Sequence, residues 1–179
     1  QGILYYPANY EKGKKYPMIT YIYEKLSQGL HRYHVPSSTN YYSTQVWSQN
    51  GYFVFNPDIE FAPSDPGISS ARTLEKAVAA VVAMGDVDKD KVGLIGHSWG
   101  GYQAGYVPTQ TDIFAASVAG AGLTNFVSMN LAITPAFGGM PENNHFEVGQ
   151  ERMVSPPWVL PDNYIRNSSV MNVHKLNTP

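Results

Sequence analysis

One stretch constrains the architecture more than any other: Lys91-Val92-Gly93-Leu94-Ile95-Gly96-His97-Ser98-Trp99-Gly100-Gly101-Tyr102. Its apolar first half predicts a buried strand, and the small residues that follow predict a helix. Between them lies the pattern Gly-x-Ser-x-Gly, with Ser98 at its centre. A serine on a sharp strand-to-helix turn needs glycines two residues away on each side, because larger side chains would collide with the neighbouring elements. The stretch therefore predicts a serine nucleophile displayed on such a turn; a glycine-rich turn with an incidental serine is the alternative.

The amino-acid composition argues against several classes of function. The chain has 179 residues, of which 43% are hydrophobic and 15% charged, with a net charge of -2. This length suits one domain with a sizeable core. The charge balance argues against a nucleic-acid partner, and the sequence has no apolar run long enough to span a membrane. The absence of cysteine excludes disulfides, thiolate metal sites and cysteine nucleophiles, but it leaves the cellular compartment open.

The rest of the chain alternates strands with helices. Short β-branched and aromatic runs predict strands at 18–23, 52–55 and 114–119, and an edge strand within 2–10. Helical spacing and capping signals predict helices over 38–50, from Ser69 or Ser70 to Gly85, and over 162–174. Residues 120–161 predict an irregular excursion over the carboxyl edge of the sheet. The alternation predicts an α/β fold, in which right-handed crossovers build a mostly parallel sheet with helices on both faces.

Two polar stretches have features of metal sites. The run Asp86-Val87-Asp88-Lys89-Asp90 has the alternating carboxylates of a calcium loop. Lys91 stands where that loop needs glycine and His97 where it needs a bidentate glutamate, so a polar turn is the better interpretation. The run His31-Arg32-Tyr33-His34 has the look of a metal or phosphate site, but it has no partner carboxylate nearby. We therefore expect no metal ion and no cofactor.

The segment from Gly96 to Tyr102 resembles the nucleophile segment of the prolyl oligopeptidase family of serine peptidases. Weaker likenesses to the same family lie on both sides, at 16–23, 51–58, 146–152 and 168–179. This resemblance covers nearly the whole chain and implies an α/β-hydrolase fold. The heptad with the serine is its specific part, and the flanking likenesses support it.

The resemblance also implies roles for individual residues. Ser98 would be the nucleophile, and the backbone N–H of Trp99 and the hydroxyl of Tyr23 would be the two oxyanion donors. The Trp99 side chain would help to wall the pocket for the residue before the scissile bond. The chain departs from the family at Glu24-Lys25-Leu26, where glycines normally follow the tyrosine. The other interpretation of Tyr23 is an aromatic residue that ends a buried strand.

The acid and the histidine of the triad raise a question of chain order. In hydrolases of this type the order is serine, acid, histidine, and the resemblance implies that both partners follow the last residue of this chain. We therefore expect residues 1–179 to be a partial catalytic domain, cut from a longer protein and lacking its C-terminal part. An internal triad of Ser98 and His174, with Glu147 or Asp162 as the acid, is the alternative.

These inferences lead to one functional hypothesis and two rivals. The hypothesis is a serine-type peptidase that forms an acyl-enzyme on Ser98, with a peptide or a small acyl compound as substrate and no nucleic-acid or membrane partner. A carboxylesterase is the first rival, although the chain lacks the His-Gly-Gly-Gly donor loop of lipases. A non-catalytic binding module of the same fold is the second. We expect the chain alone to be inactive and to associate through its incomplete sheet.

Overall fold

The centre of the molecule is a five-stranded mixed sheet. The structure, a computed structural model, describes residues 1–37, 39–135 and 138–179. The strands are β1 (Gly2–Tyr5), β2 (Tyr16–Ile22), β3 (Phe53–Pro57), β4 (Val87–His97) and β5 (Ala116–Gly120). Their spatial order is β1-β3-β2-β4-β5. Only β1 runs antiparallel to its neighbour, so the predicted mostly parallel sheet is confirmed.

Seven α-helices occupy the described part of the chain. They are α1 (Thr44–Gln49), α2 (Pro66–Val82), α3 (Trp99–Tyr106), α4 (Phe126–Asn130), α5 (Asn143–Glu147), α6 (Pro161–Asn167) and α7 (Ser169–Asn172). Short 3-10 turns lie at Ser27–Gly29, Val107–Thr109 and Val173–Lys175. A small antiparallel pair, β6 (Ile133–Thr134) and β7 (Met140–Pro141), lies within the predicted excursion. Among the described helices, none has the length and hydropathy that a membrane span requires.

The main core lies between the sheet and two of the helices. Side chains of β2, β3 and β4 meet the apolar faces of α2 and α3 there. Five of its members are at most 2% exposed and large: Met18, Ile22, Phe53, Leu74 and Leu94. The register pairs Ile22 with Gly96, so β2 and β4 end side by side. The residues that follow these two strands therefore share the carboxyl edge of the sheet.

Two predicted helices begin elsewhere. The helix predicted over 38–50 begins at Thr44, because Asn40 forms a turn in which its side chain accepts from the Tyr42 N–H. Its predicted first residue, Ser38, lies outside the described residues. The next helix begins at Pro66 rather than at a serine cap, since proline is favoured in the first helical position.

Two further elements differ from the sequence prediction. The sequence predicts a turn at 86–90, but residues 87–90 belong to β4, which bulges between the Tyr16–Val87 and Met18–Val92 pairs. The helix predicted over 162–174 is interrupted at Ser168, which has extended backbone.

The β5 side of the sheet is less covered than the centre. Among the described strands β5 pairs with β4 alone, and Val118 in its middle is 59% exposed. The backbone N–H of Ser117 donates to the carbonyl of Pro179 at 2.9 Å, which draws the end of the chain along this strand.

Candidate active site

Ser98 occupies the turn between β4 and α3. The strand ends at His97 and the helix begins at Trp99, as the sequence predicted. Ser98 has φ 56° and ψ -117°, a conformation that is rare and unfavourable for a residue with a Cβ. Its N–H donates to the carbonyl of Gly120 at 2.8 Å, and the side chain is exposed. The backbone thus holds the Ser98 hydroxyl out of the fold, at the carboxyl edge of the sheet.

The glycines around Ser98 make this turn possible. A Cβ on Gly96 would lie 2.1 Å from the carbonyl oxygen of Gly100. A Cβ on Gly100 would lie 2.2 Å from the carbonyl oxygen of Ile22. Both contacts are with backbone, which cannot swing aside as a flexible side chain can. The motif spacing therefore reflects close packing of the turn against β2 and against itself.

Tyr23 directly follows β2 and shares a cleft with Ser98. The cleft has a volume of about 650 Å³, and Tyr23, Ser98 and Trp99 are among the residues that line it. The Tyr23 hydroxyl accepts a long hydrogen bond of 3.4 Å from Gln150 Nε2. Its carbonyl accepts from Gln103 Nε2 at 2.6 Å. The structure therefore brings the predicted second oxyanion donor and the predicted nucleophile to one cleft.

Trp99 contributes a backbone N–H and a buried ring. As the first residue of α3, it has an N–H that no carbonyl of the helix can accept. Its indole is 2% exposed and stacks on Tyr102 with ring centroids 4.7 Å apart. Phe61 and Phe126 pack beside it. The ring thus belongs to a second, aromatic core, and Trp99 is also among the residues that line the cleft.

The aromatic core anchors α3 to the C-terminal helices. The hydroxyl of Tyr102 donates to the Asn167 carbonyl, and that of Tyr106 to the Arg166 carbonyl, each at 2.9 Å. Burial raises the pKa of both tyrosines well above its ordinary value, so the hydroxyls keep their protons. Helix α3, which directly follows Ser98, is therefore anchored to α6 by the hydroxyls of Tyr102 and Tyr106.

The cleft also contains a histidine and glutamate pair that the sequence analysis did not identify. His145 Nδ1 lies 2.6 Å from Glu151 Oε2, and the Glu151 side chain is 4% exposed against 53% for His145. Among the described residues no donor reaches Glu151 Oε2 with hydrogen-bond geometry, so the contact with His145 is one of charge and proximity. Burial raises the pKa of Glu151 to about 7, and His145 opposes the rise. Glu151 lies in the family-like segment at 146–152 and His145 directly precedes it, which is the one sequence signal that could have suggested this pair.

The remaining candidates lie away from the cleft. As the structure describes its lining, neither His174 nor Glu147 nor Asp162 belongs to it, so the alternative internal triad receives no support. The run 31–34 is exposed. Within residues 1–37, 39–135 and 138–179, no three His, Asp or Glu side chains lie close enough together to hold a metal ion.

Comparisons with known proteins match most of the chain. The sequence profile of the prolyl oligopeptidase family matches residues 64–177. Dipeptidyl peptidase 8 of mouse and of human is 26% identical over 158 residues, and the alignment covers 80% of this chain. The chain spans 17% of the length of these relatives.

Solved structures share the fold. An acylaminoacyl peptidase in complex with Z-Gly-Gly-Phe-chloromethyl ketone superposes with a TM-score of 0.74 at 18% identity. The match covers 99% of this chain and 28% of that one. Porphyromonas gingivalis dipeptidyl peptidase 4 has a TM-score of 0.73 at 16% identity, with coverage of 99% and 24%. At these identities the likeness establishes the α/β-hydrolase architecture.

Proposed function

We propose that this chain is the nucleophile-bearing part of a serine peptidase, because the chain belongs to the prolyl oligopeptidase family. One observation carries the assignment. Ser98 stands exposed at positive φ between β4 and α3, at a cleft that Tyr23 also lines. A strained and exposed serine of this kind is what acyl transfer requires, since the hydroxyl must reach a substrate carbonyl.

The chemistry follows from the placement of the donors. Ser98 Oγ attacks the carbonyl carbon and loses its proton to a general base, which forms a tetrahedral intermediate. The Trp99 N–H and the Tyr23 hydroxyl stabilise its oxyanion. Collapse releases the amine with the proton from the base and leaves an acyl-enzyme, which water then hydrolyses. Peptide substrates are supported by the matched proteins, which are all peptidases by name.

We place the general base outside residues 1–179, which makes this chain a partial catalytic domain. His145 lines the cleft, but its Nδ1 faces the buried Glu151, and the chain order serine, histidine, acid differs from that of such hydrolases. The chain spans 17% of the length of the dipeptidyl peptidase 8 relatives, which supports a longer protein.

A fluorophosphonate probe tests this proposal. The whole protein should be labelled at Ser98, and Ser98→Ala should abolish the labelling. Residues 1–179 alone should react far more slowly, because loss of the base from such a triad costs on the order of a millionfold in kcat. Equal labelling of the short and the whole protein would place the base inside this chain, with His145 as the first residue to mutate. Hydrolysis of esters but not peptides would identify an esterase, and no labelling of the whole protein would indicate a binding module.

A further inference from the structure

We propose that Gln103 and Gln150 are positioning residues that hold the Tyr23 hydroxyl in place for the oxyanion. The inference rests on the proposed function, in which that hydroxyl is an oxyanion donor. In this proposal two glutamine side chains fix the position of Tyr23, whereas glycines and strand pairing fix the position of Ser98.

The position of Tyr23 creates the need for such residues. The strand β2 ends at Ile22, so Tyr23 lies one residue beyond the strand ladder. Glu24 and Lys25 follow it where the family normally has glycines. A backbone segment outside the sheet is ordered only by the contacts that its own atoms make. The Glu24 carbonyl accepts from the Ile59 N–H at 2.9 Å, which fixes the backbone after Tyr23, whereas the two ends of the tyrosine itself are contacted by side chains from elsewhere.

Gln103 links the segment that carries Tyr23 to the first turn of α3. It is fully buried, and its Nε2 donates to the Tyr23 carbonyl at 2.6 Å and to the Trp99 carbonyl at 3.2 Å. The same amide group thus contacts the helix turn that follows Ser98 and the segment that carries Tyr23. Its Oε1 is buried and has no hydrogen-bond partner among the described residues, which is unfavourable for stability. A residue that keeps such a defect while bridging the two segments fits a role in positioning.

Gln150 contacts the other end of the tyrosine. Its Nε2 donates to the Tyr23 hydroxyl at 3.4 Å and to Glu24 Oε1 at 3.3 Å. A hydroxyl that accepts from an amide keeps its single proton free to donate elsewhere, here into the cleft. Arg152 Nη2 donates to the same Glu24 oxygen at 3.1 Å, and its guanidinium lies 4.6 Å from the ring centroid of Phe61.

These contacts explain how the chain tolerates its departure from the family. The Glu24 side chain, which glycine would lack, is held by Arg152 and Gln150 and so becomes part of the support. The amide of Gln150 then serves both Glu24 and the Tyr23 hydroxyl. An oxyanion donor is effective when it is already oriented before the charge develops. The two glutamines supply that orientation from opposite ends of Tyr23.

A double-mutant cycle in the whole protein tests the proposal. Gln103→Met keeps the size of the side chain and removes the donor, and it should lower kcat about tenfold, the rate factor of roughly one neutral hydrogen bond. The KM for a peptide substrate should change less than twofold. In a Tyr23→Phe background the same substitution should lower kcat by much less than tenfold, because the hydroxyl through which it mainly acts is gone and only its contact with the Trp99 carbonyl remains. Gln110→Met is the matched control, since its amide donates to Thr109 Oγ1 and its loss should leave both constants unchanged.

The other outcomes overturn the inference. Equal losses in the natural and the Tyr23→Phe backgrounds would mean that Gln103 acts on the fold alone, and no loss in the natural background would mean that it positions nothing. If Gln103→Met does not fold, Gln150→Met in the same two backgrounds decides by the same criterion. A Tyr23→Phe enzyme with full activity would overturn the inference while leaving Ser98 as nucleophile. Retained activity in Ser98→Ala would instead overturn the proposed function.

Discussion

Ser98 and Tyr23 follow neighbouring strands and line the same cleft, yet the molecule holds them in different ways. Ser98 is fixed by backbone that packs against backbone, with Gly96 and Gly100 at distances that admit no Cβ. Tyr23 is held by side chains from residues 80 and 127 positions away. The first arrangement is rigid by steric exclusion, whereas the second depends on hydrogen bonds that can be removed one at a time.

The difference has a consequence for mutational sensitivity. A steric arrangement fails as a whole, because an added atom must displace backbone on both sides of the turn. A hydrogen-bonded arrangement loses its function gradually, since each bond is of modest net strength. We therefore expect the largest effects around Ser98, intermediate effects at Tyr23 and the smallest at the wall of the cleft.

Gly96→Ala should have the largest effect. The new Cβ would lie 2.1 Å from the Gly100 carbonyl oxygen, so the turn must move and Ser98 with it. Misplacement of a reacting group by about 1 Å costs roughly a hundredfold in rate, and the Trp99 N–H donor moves together with Ser98, so we expect a combined loss of about a thousandfold or more in kcat. Gly105→Ala in α3 is the matched control, because its Cβ would have nothing nearer than 3.7 Å. Steady-state kinetics on the whole protein compare the two, and equal activity of both variants would contradict a steric basis for the turn.

Tyr23→Phe should have an intermediate effect. It removes the hydroxyl of a residue that lines the cleft together with Ser98, and it keeps the ring. Loss of one oxyanion donor lowers kcat by roughly a hundredfold or more, with KM little changed. Tyr21→Phe, on β2 two residues before Tyr23 and outside the lining of that cleft, serves as the control and should keep its activity. An unchanged kcat in Tyr23→Phe would show that the second donor lies elsewhere.

Glu151→Gln should have the smallest effect, and one that depends on pH. The folded pKa of about 7 lies above the ordinary 4.5, so the folded state binds the proton more tightly than the unfolded state. The contribution of Glu151 to stability is therefore full below pH 4.5 and declines as the pH rises to about 7. The neutral glutamine should remove this decline.

Urea unfolding at pH 5 and pH 8 measures that effect. The stability of Glu151→Gln relative to the natural chain should rise between the two pH values. Glu147→Gln on α5 lies outside the cleft lining and controls for the loss of one charge. A relative stability that is the same at both pH values would show that Glu151 does not titrate in this range.

Much of the fold and half of the site could be predicted from the sequence. The positions of β2, β3 and β4 followed from apolar runs, and the turn at Ser98 followed from the Gly-x-Ser-x-Gly spacing. Element boundaries were less accurate. The turn at Asn40 shortened α1, and Pro66 rather than a serine opened α2. These errors arise where local turn chemistry competes with helical periodicity.

The sequence by itself determined those structural features that depend on residues close together along the chain. The turn at Ser98 is of this kind, because its steric demands act between Gly96 and Gly100 and against the adjacent strand. The tertiary structure alone decided which distant side chains meet. It brought Gln103 and Gln150 to Tyr23, because a hydrogen bond between segments that are far apart in sequence leaves no periodicity or spacing that could reveal it.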